Sequence, residues 1–400
     1  MERIVFRGGQ VFDGSGADPA QADVAVEGER FVAIGPGLDG DRAVDVTGLT
    51  LLPGLFDCHV HVTITRFDPW RGINTPFSLQ FFEAARNLGA TLRTGITVVR
   101  DAGGADLGIK QAVERGLVAG PRLQVSLVML SQTGGHGGCW YPGGVEVPLF
   151  VPHPGRPSAI VDGPDEVRRK VRQLVEMGAD VIKVATSGGV LSPRDDPRHA
   201  QFRPDELMVL VEEATAAGRF VMAHAQAADG IKNAVRAGIR SIEHGIYLDD
   251  EGIELMLERG TWLVPTLVAP QGAIDAAEAG AALTADVVEK ARSVVEVHRA
   301  SFRRAVEAGV RIAMGTDAAV TPHGQNLREL DLMVAGGMAP AAALVATTKS
   351  AAELLGVDRD LGTIEPGKLA DLVLVEGDPY AFAGLAGRIR EVWKAGARVV

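Results

Sequence analysis

Leu55-Phe56-Asp57-Cys58-His59-Val60-His61-Val62 is an apolar run that carries two histidines at i and i+2. Successive side chains of an extended strand point to opposite faces, so His59 and His61 project to the same side. Alone, such a pair fits hydrogen bonding inside a core as well as it fits a metal ion. The run also opens a new texture. From residue 55 onward, short apolar runs that end in polar residues or glycine alternate with longer amphipathic stretches, the pattern of repeated βα units. Eight runs stand out, at 55–62, 96–102, 123–127, 181–186, 220–225, 240–244, 262–267 and 311–316, with helices predicted at 164–177, 204–217, 230–237, 250–259 and 284–308. Their number and spacing predict an α/β chain folded as a (β/α)8 TIM barrel over residues 55–349.

Working outward, the segments at 3–6, 23–26, 31–34 and 43–52 alternate apolar and polar residues with no helical stretch between them, and 369–375 and 389–400 again look like strands. The two ends, 1–54 and 350–400, are therefore expected to build one small β-sandwich domain beside the barrel. The glycine- and proline-rich segment 131–163 is too long for an ordinary βα connection and is expected to be a lid or substrate loop.

The 400 residues are 46% hydrophobic and 23% charged, which places the chain among globular proteins with a large core. Forty Lys and Arg against 51 Asp and Glu give a net charge of -11, so no global positive field gathers phosphate backbones or anionic lipid. Nucleic acid and membrane are excluded as expected partners, leaving a small-molecule substrate. Cys58 and Cys139 form no CxxC pair and no disulfide framework, which fits a reducing compartment. Glu2, Arg3 and Arg7 interrupt the start, and the most apolar stretch, 332–348, is broken by Gly336, Gly337 and Pro340. A cytoplasmic homo-oligomer is expected.

The chemistry-bearing residues recur at the ends of runs. His224 ends the fifth, His244 the sixth, and Asp317 follows the eighth in Met314-Gly315-Thr316-Asp317. In a barrel of this kind the active site sits at the C-terminal ends of the strands. Four histidines and a carboxylate suit a borderline divalent ion such as Zn2+. Because one ion takes about four ligands, five candidates plus Lys183, set between Ile182 and Val184 in the fourth run, point to two ions. Burial would favour the neutral amine of Lys183 over the ammonium, whereas the plain alternative is a lysine at a strand end on the surface.

His59-x-His61, Lys183, His224, His244 and Asp317, in that order, resemble the metal-ligand pattern of the amidohydrolase superfamily over nearly the whole chain. The phrases LPGLFDCHVH, GTDA and LGTIEPGKLADLVLVEGDP are similar to its branch of imidazolonepropionase-like and Xaa-Pro dipeptidase-like proteins. The resemblance implies two metal ions, His59, His61 and Asp317 on one, His224 and His244 on the other, and Lys183 as an N-carboxylated bridge. It further implies a hydrolase of an amide or peptide-like C–N bond, with a metal-bridging hydroxide as nucleophile and Asp317 moving the proton to the leaving nitrogen. A dipeptide or N-acyl amino acid is the expected substrate. Cyclic amides, carbamates and ureas are the alternative, and a catalytically silent metabolite-binding barrel is the alternative outside enzymes.

Gly134-Gly135-His136-Gly137-Gly138 would by itself be an exposed loop. The branch carries a similar phrase whose histidine meets substrate, so the resemblance implies that role for His136. Tyr141 lies near it as a substrate contact or as lid packing. One departure stands out: the dipeptidase-like relatives often carry His-Ala-Tyr where this chain has His224-Ala225-Gln226, so Gln226 replaces a tyrosine that helps hold a dipeptide carboxylate. Arg194 and Arg198 are expected to pair with Asp195 and Asp196 on a solvated loop. His153, His199, His298 and His323 receive no role.

Overall fold

The computed structural model describes residues 2–66, 68, 73–138, 140–141, 143–192 and 194–400, so Cys139 lies outside the described residues. Parallel strands succeed one another in sequence order. Leu55–Val60 pairs with Ile96–Asp101, which pairs with Arg122–Val125; Met129–Leu130 pairs with Val181–Ala185, followed by Phe220–Ala225, Ser241–His244, Trp262–Val264 and Arg311–Ile312. The third strand is thus broken, its second half, Met129–Leu130, lying beyond the apolar run at 123–127. Its first half bonds backward and its second half forward, across a corner where Leu127 takes φ +67°. At the other edge, Cys58 N donates to Met314 O (2.9 Å), Asp317 N to His59 O (2.7 Å) and His61 N to Ala318 O (2.9 Å). The chain after the eighth strand is therefore stitched to the first.

Apart from Gln124 and the first residues of some strands, the parallel strands are buried along their length, and Val60, Val125, Ile182, Val221 and Leu263 share one core with helix residues such as Leu88, Val171, Leu210, Ile231 and Phe302. Four of the five predicted helices begin or end one or two residues from the expected positions, at Gly163–Glu176, Pro204–Ala216, Ala228–Ala237 and Ala285–Ala308, and Asp250–Arg259 matches. Asp249 caps the last of these by accepting from Gly252 N at 2.8 Å. The seventh and eighth strands are shorter than their apolar runs. They stop before Thr266 (φ +53°) and Asp317 (φ +59°), where the backbone turns left-handed.

Two further sheets use both ends of the chain. One orders Arg30–Gly35, Asp23–Glu27, Arg3–Arg7 and Arg42–Asp45; the other orders Ala397–Arg398, Ile389–Lys394, Leu372–Glu376, Leu49–Pro53, Gln10–Val11 and Ala20–Gln21. Phe6, Val24, Phe31, Leu51, Leu372 and Trp393 share one apolar cluster between them, with Phe6 edge-on to Trp393 at 5.0 Å. Two sequence expectations change. Segment 43–52 is split by a turn at Gly48 (φ +79°), and 389–400 by one at Ala395 and Gly396. The helix Lys349–Leu355 precedes the C-terminal sheet strands and packs its Ala351, Leu354 and Leu355 with Phe56, Val98 and Trp262 of the parallel strands.

The long segment after the third strand is closed at its neck, where Ser131 N donates to Ala159 O (3.1 Å) and Val161 N to Ser131 O (3.0 Å). It contains the short hairpin Trp140–Tyr141 with Val145–Glu146. Arg156, only 2% exposed, pins it by donating to Val151 O (2.8 Å) and Gln80 Oε1 (3.1 Å) and to Gly104 O. Among the described residues no helix is long and apolar enough to cross a membrane.

Candidate active site

His59, His61, Lys183, His224, His244 and Asp317 all line one cleft of about 280 Å3 at the C-terminal ends of the parallel strands. Alternation along the first strand puts His59 and His61 on one face with ring centroids 5.5 Å apart. His244 lies 5.0 Å from His59 and 4.7 Å from His224, and Asp317 Oδ1 approaches His61 Nε2 at 3.2 Å and His59 Nε2 at 3.6 Å. Ligand atoms of His59, His244 and Asp317 all fall within 4.8 Å of one another.

Each imidazole is fixed from behind. His61 Nδ1 donates to Gly103 O (2.8 Å) and His224 Nε2 to Gly188 O (3.1 Å). A carbonyl only accepts, so in the neutral ring the opposite nitrogen carries the lone pair. His59 Nδ1 donates to Glu243 Oε2 (2.7 Å), and His244 Nδ1 bonds Thr266 Oγ1 (2.7 Å). Two left-handed, non-glycine residues, His244 (φ +71°) and Asp317, aim their side chains inward at a conformational cost of the kind that functional sites hold. Gly315 lets the eighth strand's end come against the first, since a Cβ there would collide with Val264 and press on His59.

Electrostatics favours neutral imidazoles at His59, His224 and His244. Burial, reinforced by neighbouring positive groups, holds His59, His224 and His244 well below the usual histidine range. For His61, burial pulls downward, but the hydrogen bond and charge of Asp317 outweigh it and the net shift is upward. Burial pulls Lys183 down to about 8 against the attraction of Glu243 and Asp317. Its Nζ is buried with no hydrogen-bond partner among the described residues. Burial raises the carboxyl of Asp317, but His61, His59 and Lys183 together hold it below the usual range. The imidazole nitrogens, three of them on rings held neutral, a carboxylate and an orphaned buried amine form a donor set that fits divalent metal ions.

His136 reaches the same cleft, its ring stacked on His224 with centroids 4.0 Å apart and planes 17° apart. Its Nδ1 is engaged by Ser192 Oγ (2.8 Å) and Asp195 Oδ2 (3.2 Å), which leaves Nε2 for the cleft. Gly189 makes this possible because any side chain there would strike the His136 ring. Tyr141 and Gln226 line the cleft as well. The arginine expectation changes: Arg198 pairs with Asp196 (2.6 Å), but Arg194 lies over the Trp140 ring (5.1 Å) and Asp195 turns inward to His136. Asp195 is inward because Lys290 Nζ gathers the carbonyls of Gly189, Ser192 and Asp195 and folds their loop over the strand ends.

Sequence reasoning missed the supporting polar groups. Glu243 Oε1 accepts from Arg100 Nη2 (2.8 Å) and Ser241 Oγ (2.6 Å), and Arg100 Nε donates to Cys58 O (2.7 Å). Asp57 accepts from the backbone N–H of His59 (3.1 Å) and Thr316 (3.1 Å), fastening the first strand to the eighth. His298 Nε2 donates to His244 O (2.8 Å) and His323 Nε2 to His61 O (3.3 Å), so two histidines left without a role hold the backbone of two others. The available signal was a set of charges inside apolar runs: Asp57, Arg100, Asp101 and Glu243 are all fully or nearly fully buried.

The amidohydrolase family pattern matches residues 50–399. The ochratoxinase of Aspergillus niger is 37% identical over 362 residues, covering 86% of this chain and 75% of that protein. The structure of a Xaa-Pro dipeptidase with bound methionine superimposes with a TM-score of 0.90 at 33% identity, covering 99% of both chains. That of a prolidase complexed with N-methylphosphonate-L-proline gives 0.89 at 35% identity, again covering 99% of both. The chain belongs to the amidohydrolase family, as a hydrolase acting on C–N bonds.

Proposed function

We propose that the chain is a binuclear metal-dependent hydrolase that cleaves the amide bond of an N-acyl amino acid or dipeptide. The observation that carries this reading is the convergence of His59, His61, Lys183, His224, His244 and Asp317 on one cleft, with Lys183 Nζ buried and unpartnered. The parallel strands are read as a (β/α)8 barrel over 55–349, and the two terminal sheets as a β-sandwich built from 1–54 and 350–400. His59, His61 and Asp317 would hold one ion, Zn2+ by ligand type, and His224 and His244 the other, with Lys183 N-carboxylated between them. An amine brought down to about 8 has a neutral fraction that carbon dioxide can carbamoylate. Bound divalent ions supply a water acidified to near neutrality and a polarised substrate carbonyl.

The chain's own residues do the rest. Asp317, ionised and facing His61 at 3.2 Å, accepts the proton of the attacking water at a carboxylate oxygen and returns it to the leaving nitrogen. His136 presents Nε2 to the substrate carbonyl, oriented by Ser192 and Asp195. Phe77, Leu149, Phe150, Val190 and Ile246 give the cleft an apolar wall for an acyl group or amino-acid side chain. Support for an amino-acid amide comes from the ochratoxinase and prolidase likenesses.

The test is metal analysis of the protein together with a hydrolysis screen of N-acyl amino acids, dipeptides and cyclic amides. Two metal equivalents per chain with turnover of an amino-acid amide is the expected result. One equivalent or none, without turnover, overturns it.

A further inference from the structure

Gln226 follows the fifth strand, two residues beyond His224, and is 5% exposed. Its backbone is held on both sides: its N–H donates to Ser187 Oγ (2.8 Å), and its carbonyl accepts from Tyr247 N (2.9 Å). The residue is thereby anchored at the cleft, which it lines together with His136, His224, Val190 and Ile246. Its Oε1 is buried and has no hydrogen-bond partner among the described residues. A buried carbonyl oxygen beside an apolar wall is costly unless a donor reaches it. A ligand seated in the cleft can bring that donor.

A substrate hydrolysed at the neighbouring histidines can offer a donor at the reacting bond itself, the N–H of the scissile amide. Secondary amides have it. Prolyl and other N-alkylated amides do not, and they also bring a carbon where the hydrogen would be. Resting on the amide-hydrolase reading above, we propose that Gln226 makes this enzyme select secondary amides over prolyl and N-alkylated ones, by accepting the scissile N–H at Oε1. The side chain acts as a specificity determinant, and the site differs in this respect from what a prolyl substrate requires.

The experiment compares kcat/KM for an N-acyl-L-alanine, its N-methyl counterpart and the N-acyl-L-proline with the same acyl group. It uses the metal-loaded wild type, Gln226→Met and Gln226→Glu. Wild type should favour the secondary amide by roughly ten- to hundredfold, the cost of leaving a buried acceptor unpaired. Gln226→Met, similar in volume but without the acceptor, should bring that ratio near unity, while Gln226→Glu, which keeps the acceptor and loses the donor, should preserve it. Because the result is a ratio on one enzyme, general losses of folding or metal cancel. Turnover with an unchanged ratio in Gln226→Met overturns the assignment of Gln226 and leaves the amide-hydrolase reading standing, as does a ratio lost in Gln226→Glu. Failure of the wild type to hydrolyse any of the amides overturns both.

Discussion

Glu243 Oε2 stands 2.7 Å from His59 Nδ1, and the other oxygen of the same carboxylate is held by Arg100 at 2.8 Å. All three side chains are buried, so an arginine on the second strand and a glutamate on the sixth together set the tautomer and direction of a histidine on the first. The carboxylate raises the basicity of the His59 lone pair, and the arginine holds the carboxylate in place.

Glu243→Gln preserves the shape of this link and removes its charge. Metal affinity is expected to fall by about 10- to 100-fold, the usual effect of losing a carboxylate behind a ligating histidine. Metal titration of the variant against a chelator of known affinity checks this. The melting temperature should also fall, because Arg100 loses its buried counter-charge. Unchanged metal affinity would mean that His59 is oriented by packing alone.

Lys183→Ala should abolish most activity, because it removes the amine proposed as the bridging group. A small carboxylic acid such as acetate should restore part of it by occupying the vacated position. Full activity and full metal content in the variant would show that the sixth ligand lies elsewhere.

The repeating architecture was legible in the sequence because each parallel strand is buried on both faces and so becomes an unbroken apolar run. His59, His61, His224 and His244 could be found because they interrupt those runs near their ends. The ends themselves were not legible. Thr266 and Asp317 continue apolar runs in sequence, yet both residues leave the strand by adopting positive φ, which nothing in their side chains announces. The third strand's break at Leu127 was hidden for the same reason. Pairings across long sequence distances, such as Glu243 with His59 or Asp195 with His136, depend on which strand ends the fold brings together, and no periodicity encodes that. Asp195 beside Arg194 and Arg198 looks like a surface ion pair until Lys290, on a distant helix, draws its loop inward.

Glu329 offers a pH-dependent check on the scaffold under the site. Its two oxygens accept from Leu267 N (2.7 Å) and Val268 N (2.8 Å), just after the Thr266 that bonds His244. Burial is the main cause that lifts its carboxyl from 4.5 to about 8, partly opposed by those two N–H donors. A raised folded-state pKa means that the folded chain keeps a proton the unfolded chain releases. The associated stability is fully present below about pH 4.5 and is lost as pH rises through about 8. Thermal unfolding across that window should show a declining melting temperature in wild type and a flatter profile in Glu329→Gln. Parallel profiles would show that Glu329 ionises as an ordinary carboxylate.

Asp317→Asn separates the two jobs given to Asp317. Asparagine keeps the size and one oxygen that can ligate, but it cannot accept a proton in the relevant range. If Asp317 moves the proton, kcat should fall by about 10² to 10⁴, the range for a general acid-base group, while metal content and KM change little. The substitution also weakens the link to His61 at 3.2 Å, so metal must be measured on the same sample. Turnover that merely follows occupancy, and returns when metal is added in excess, would reduce Asp317 to a ligand. The proton would then have to pass through another group in reach of the cleft. His136, with Asp195 and Ser192 behind its Nδ1, is the side chain so arranged.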